Sequence, residues 1–267
     1  MAVRSHLRLG ALACLLLTGL GSCAPSYYQL SPVSGDVARL DGRLVTKAER
    51  DSVVVVASYE REDMEYVALD IEIKNRSERP LHVDPAQFQV WPLDADSLTP
   101  VAQTSSANMP LFRMAADPYF EAEQVKLKQR REEIRLKRAK VFNTVLLVAT
   151  VAADVASSTS AGRSRNYDSW HTSRIRFNNT YALIAMKRVI DHGSFADNMQ
   201  RLDFEAYRWS ELALRPTTLP PGESVRGFVY LPKTRTAKFV KLIYPVQQGG
   251  RSVDLLFQQQ LVKLRPQ

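Results

Sequence analysis

The chain has 267 residues, is 45% hydrophobic, and carries a formal charge of +8 at neutral pH. That balance describes a globular chain and excludes a largely disordered one. Two cysteines, Cys14 and Cys23, are too few for a disulfide framework or a thiolate metal site.

Residues 1–22 read as a secretory signal peptide. Arg4 and Arg8 give a positive start, and Leu9 to Leu20 form an uncharged apolar core. That core is short for a ~30 Å hydrocarbon layer, which takes roughly 20 residues to cross. The stretch that follows, Leu20-Gly21-Ser22-Cys23, resembles the lipobox of bacterial lipoproteins, and all four positions fit. The resemblance implies that Cys23 becomes the mature N-terminus, lipidated with a diacylglyceryl thioether and a palmitate-type N-acyl chain. Each buried methylene contributes about 0.8 kcal/mol, so two or more chains anchor stably. Ala24 after the cysteine resembles the sorting signal for the bacterial outer membrane, which implies a cell-envelope protein facing the periplasm. Loss of residues 1–22 removes Arg4, Arg8 and Cys14, leaving Cys23 as the sole thiol.

Residues 23–39 hold Pro25, Pro32 and the pair Tyr27-Tyr28, and are expected to be a tether between lipid and body. Residues 40–110 are expected to form the first part of a β-sandwich. Val53 to Ala57 is an apolar run of strand length. In Tyr66 to Lys74, Val67, Leu69, Ile71 and Ile73 alternate with Asp70, Glu72 and Lys74, which predicts one buried and one wet face. Asn75 to Pro80 breaks that strand, and Gln87 to Trp91 resumes alternation through Phe88 and Val90.

Residues 111–210 do not read as strand. Pro118 suits the first turn of a helix. From there Phe120, Leu127, Ile134, Val141, Val148 and Val155 recur every seven residues, a helical spacing. The first half is strongly basic, with Lys126, Lys128, Arg130, Arg131, Arg135, Lys137, Arg138 and Lys140 against Glu121, Glu123, Glu132 and Glu133. The second half, Val141 to Ala156, is almost wholly apolar. Its sixteen residues cover about 24 Å as a helix, and Asn143 and Asp154 interrupt it. It is expected to be buried against a second helix or in an oligomer contact rather than inserted in a membrane. Ser157 to Asn179 reads as a mobile loop, Thr180 to Ile190 as helix, Gly193 as a break, and Ser194 as the N-cap of a last helix to Trp209.

Residues 211–267 are expected to complete the sandwich. Pro220-Pro221-Gly222 is a turn signal, with glycine where φ is positive. Val225 to Leu231, Lys238 to Tyr244 and Val253 to Phe257 follow as strands, with Gly249-Gly250 as a hairpin loop.

The segments Val67 to Asn75, Phe88, and Leu219-Pro220-Pro221-Gly222-Glu223-Ser224-Val225-Arg226-Gly227 resemble a bacterial lipoprotein family with telokin-like, immunoglobulin-like domains. The resemblance covers residues 50–92 and 212–260. It implies an α+β chain: an immunoglobulin-like antiparallel β-sandwich of about seven strands with a helical insertion.

His82, His171 and His192 have no metal-ligand spacing, and no phosphate loop or nucleophile elbow is present. No cofactor or metal is therefore expected. The first expectation is a non-enzymatic envelope lipoprotein whose helical insertion mediates protein–protein interaction or self-association. The second is binding of anionic lipid or lipopolysaccharide through the eight basic residues. The third is a hydrolase built on scattered carboxylates. Nucleic acid is not expected as a partner outside the cytoplasm.

Overall fold

The computed structural model describes residues 26–94, 112–161, 167–246 and 251–263. The signal peptide, Cys23, and the Gly249-Gly250 loop lie outside them. The fold is α+β, with twelve strands and two long helices in the described residues. The chain divides into two compact units. One comprises Met1–Ala115 with Pro216–Gln267, and the other Ala116–Arg215.

The first unit holds every strand, and all pairings are antiparallel. One five-stranded sheet runs in the order β1 (Ser26–Pro32), β12 (Arg251–Lys263), β11 (Phe239–Val246), β7 (Gln89–Leu93), β8 (Arg113–Met114). The other runs β10 (Ser224–Pro232), β5 (Tyr66–Asn75), β4 (Val53–Asp63), β3 (Arg43–Arg50), β2 (Asp36–Leu40). A two-stranded ribbon pairs β6 (Leu81–Val83) with β9 (Thr217–Leu219).

Alternation explains the core. In β5, Val67, Leu69, Ile71 and Ile73 are buried, while Asp70 and Glu72 are half-buried and Lys74 is exposed. Val53, Val55 and Ala57 of β4 and Leu242, Tyr244, Leu255 and Phe257 of β11 and β12 join them in the interior. Strands β1 and β12 of one sheet lie against β3 and β4 of the other. The rings of Phe88 and Tyr244 sit 4.6 Å apart between centroids, and burial pushes the Tyr244 phenol up to about 12.

Three turns fix the register. Asp41-Gly42 and Asp51-Ser52 each have both residues at positive φ and close two-residue hairpins between β2, β3 and β4. Pro220-Pro221-Gly222 forms the expected turn, with Gly222 at φ +82° and the Glu223 amide donating to the Pro220 carbonyl at 3.3 Å.

Two expectations about this unit need correction. The strand count is twelve, not about seven, because β2 and β3 and the short strands β6, β8 and β9 carry little apolar alternation of their own. Residues 26–39 are not a free tether. Ser26–Pro32 is an edge strand paired along β12 from Ser26 opposite Lys263 to Pro32 opposite Phe257, with Leu30 buried. Proline is tolerated there because an edge strand at its end needs no further ladder donor.

The second unit is a helical hairpin. Helix α1 (Pro118–Ala161) has 44 residues, about 66 Å at 1.5 Å per residue. Helix α2 (Tyr167–Tyr207) is followed by a π-helical turn at Arg208–Leu212. The expected loop at 157–179 is corrected: Ser157 to Ala161 belongs to α1, and α2 begins at Tyr167. Gly193 does not break α2 and Ser194 does not cap a new helix. A lone glycine costs a helix only about 1 kcal/mol, and packing along the hairpin outweighs it.

Candidate interaction surface of the helical hairpin

Helices α1 and α2 run antiparallel. Lys128 pairs with Glu205 at 3.1 Å, Gln129 bonds Asp203 at 2.9 Å, Asn143 bonds Asp191 at 2.9 Å, and Asp154 lies 3.8 Å from Arg174. Numbers rise on one helix as they fall on the other, which aligns α1 with α2 from Lys128 to Asp154.

The seam between the helices is built from positions three and four apart. Val125, Asn143 and Thr150 are buried on α1, with Ala122, Gln129, Glu132, Leu136, Ala139 and Leu146 half-buried between them. Ile184 and Leu202 are buried on α2. Much of this seam is small or polar. Asn143 is only 2% exposed, and its Nδ2 donates to Asp191 Oδ2. Lys187 Nζ donates to the same oxygen at 2.6 Å. Those two bonds, Lys187 first, hold the Asp191 carboxyl below its ordinary value. A buried asparagine on a helical seam fixes register at some cost in stability.

The seven-residue apolar series is elsewhere. Phe120, Leu127, Ile134, Val141, Val148 and Val155 are all exposed. On a helix of 3.6 residues per turn they lie on the side of α1 opposite the seam. Only the side of Val141 to Ala156 that carries Asn143, Leu146 and Thr150 is buried against the second helix. Its valine side is not, with Val145 and Val148 each 62% exposed. Burial against a second helix is corrected for that side alone, the expected oligomer contact being a separate alternative. The reason is that heptad spacing selects a face without saying which neighbour covers it. Here the covered face is the one carrying Asn143 and Thr150.

A second outward face exists on α2, and the sequence reading did not find it. Ile175, Met186, Val189, Phe204 and Tyr207 are all exposed, and helical geometry sets them opposite buried Ile184 and Leu202. Counting the 3.6 period of α2 independently of α1 is the signal that finds it.

The eight basic residues all lie exposed on α1. The structure brings them near an acidic stretch of α2 that holds Asp191, Asp197, Asp203 and Glu205. Lys128 pairs with Glu205 across the seam, whereas Lys126 pairs with Glu123 and Arg135 with Glu132 within α1. Arg130, Arg131, Lys137, Arg138 and Lys140 make no ion pair with a described residue. Part of the basic charge is thus neutralised within the chain.

Cys23, the expected lipidation site, lies outside the described residues. Among those residues, no group of three or more His, Cys, Asp and Glu side chains is placed to hold a metal. Compared with protein families, curated proteins and solved structures, the chain has no match.

Proposed function

We propose that this chain is a non-enzymatic, lipid-anchored cell-envelope lipoprotein of the outer membrane, facing the periplasm, in which the sheets serve as scaffold and the helical hairpin is an interaction arm. Anchoring through Cys23 rests on the lipobox resemblance. The immunoglobulin-like reading of the sheets is supported by two antiparallel five-stranded sheets with alternating buried positions. It is supported also by the bonding of the two resemblance segments to each other: Asn75 Nδ2 donates to the Leu219 carbonyl at 3.0 Å, and the Gly222 amide to the Asn75 carbonyl at 2.8 Å.

The observation that carries the interaction arm is the exposed apolar heptad series of α1, set opposite a polar intrachain seam. The stripe is continuous from Val141 through Val145 and Val148 to Val155, and an exposed apolar patch of that kind marks a surface that another molecule covers. Length and composition alone would let part of α1 cross a membrane. Antiparallel pairing argues against it. The α2 stretch at the level of Val141 to Val155 carries Arg174, Arg176, Lys187 and Arg188, and each cation costs about 2.5–3.5 kcal/mol at a bilayer centre.

A second reading, anionic lipid or lipopolysaccharide phosphate as ligand, is favoured by the five cations on α1 that make no ion pair among the described residues. Salt sensitivity separates the two, because binding to charged head groups weakens steeply with ionic strength.

The test places a photo-crosslinking residue at Ile134 or Val145 of the full chain in cells, with exposed Lys74 of β5 as control. Protein adducts at the two helical positions and none at Lys74 are expected. Absence of a protein adduct at both helical positions overturns the interaction arm. Palmitate labelling of wild type and of Cys23→Ala tests the anchor, with loss of label expected.

A further inference from the structure

We infer that the sheet unit stands directly on the bilayer, with the end of the sheets at which β1 begins set against the lipid head groups. The inference rests on the lipid-anchor reading and adds to it the surface that meets the membrane.

Chain length carries the first half of the argument. Cys23 and Ser26, where β1 starts, are three residues apart in sequence. Consecutive Cα atoms are separated by 3.80 Å, so this link reaches at most about 11 Å. The head-group layer is itself about 5–8 Å deep on each side of the hydrocarbon. A chain acylated at Cys23 therefore holds Ser26 at the bilayer surface. Strand β1 lends the link no further reach, because it is paired with β12 from Ser26 onward. The Tyr28 amide donates to Glu62, the Tyr28 carbonyl accepts from the Tyr59 hydroxyl at 2.8 Å, and Leu30 is buried. Freeing β1 as a spacer would break that ladder and strip β12 of its partner.

The placement of exposed apolar residues carries the second half. Among the described residues of the sheet unit, the most exposed large apolar side chains are Leu40 at 65%, Leu261 at 55% and Met64 at 50%. All three lie at the end where β1 begins. Leu261 is the register partner of Tyr28. Tyr28 bonds Glu62, two residues before Met64, which turns the chain from β4 to β5 at positive φ. Leu40 stands opposite Arg43, which bonds Glu60 near the same end of β4. The turns at the opposite end, Asp51-Ser52, Arg76 to Arg79 and Pro220 to Glu223, consist of Asp, Ser, Arg, Glu, Pro and Gly. Apolar tips that share an end with the anchor are placed to enter the head-group region, and the bilayer is the surface that covers them.

Charge at this end is of mixed sign. Arg43 pairs with Glu60, Lys233 with Glu62, Arg61 with Asp63 at 3.7 Å, and Lys238 with Asp94 at 3.9 Å. Exposed Arg113, Arg235 and Lys263 are offset in part by exposed Asp41 and Glu65. Such a surface suits zwitterionic head groups and needs no anionic lipid, which separates it from the salt-sensitive reading of α1.

Lipid-borne quenching tests this. With residues 1–22 removed and Cys23 consumed as a thioether, a new cysteine is the sole free thiol. Met64→Cys, Leu261→Cys and Glu78→Cys are made in separate full chains, purified in lipidated form, carried in phosphatidylcholine liposomes and labelled with a fluorophore. Exposed Glu78 is the control, because it follows the far end of the ten-residue strand β5, a span of about 30 Å. A quencher on the lipid head group should act several-fold more strongly at positions 64 and 261 than at 78. The difference should persist at high salt, with β-sheet circular dichroism unchanged.

Equal quenching at all three positions, or none, on a palmitate-labelled chain that floats with the liposomes overturns this placement and leaves the anchor standing. Quenching at 64 and 261 that vanishes at high salt overturns it as well. Absence of palmitate from the wild-type chain overturns the anchor, and the placement with it.

Discussion

Asn75 ends β5 fully buried, and it ties three segments together. Its Nδ2 donates to the carbonyls of Arg79 at 2.8 Å and Leu219 at 3.0 Å, and its Oδ1 accepts from the Ser77 amide at 3.0 Å. Its own carbonyl takes the Gly222 amide of the proline turn. Asn75→Ala would strip the Leu219 carbonyl of its buried donor and the Ser77 amide of its acceptor, while the Arg79 carbonyl keeps the Ser77 hydroxyl at 3.0 Å. A buried polar group stripped of its partner costs about 1–3 kcal/mol. We expect Asn75→Ala to lower unfolding free energy by about 2 kcal/mol, read as a shift in the urea midpoint at constant slope. In the sequence Asn75 reads as a strand-breaking residue and the proline turn as a turn. That one residue joins them across 144 positions is decided by the sheet pairing of β5 with β10.

At the scale of elements, α2 shows how packing overrides local signals. Gly193 and Ser194 both suggest an interruption, and the helix runs through them. Nothing stands within 4 Å of where a Cβ on Gly193 would sit, and its backbone is helical. Gly193→Ala should therefore stabilise the hairpin by about 0.5–1 kcal/mol, the ordinary difference in helix propensity. Thermal melting followed by helical circular dichroism checks it. Strand β1 teaches the same lesson in the other direction. Prolines beside paired tyrosines suggested a linker, but the long edge of β12 offers unpaired backbone along its length, and pairing with Ser26–Pro32 satisfies it.

At the scale of the whole molecule, the described residues divide between a sheet unit and a helical unit, and the helical unit is continuous in sequence while the sheet unit is not. Each has its own buried apolar residues. Replacing residues 116–215 by a short glycine linker should leave the β-sheet circular dichroism and a cooperative unfolding transition in place. Loss of both would show that the sheets depend on the helices for stability.

The sequence by itself determined where apolar residues alternate or recur: the wet and dry faces of β5, the positive-φ turn at Gly222, and a helix opening at Pro118 with a basic first half. Those are local properties, set by side-chain period and by the sterics of glycine and proline. Only the tertiary structure decided which apolar periods are covered. The heptad series from Phe120 to Val155 is regular enough to be a core, yet the intrachain seam runs through Asn143 and Thr150 on the opposite side of the helix. A helix presents all its faces to the chain, and the one that is buried depends on the long-range partner, here α2, whose Asp191, Asp203 and Glu205 bond side chains of α1 along their common seam.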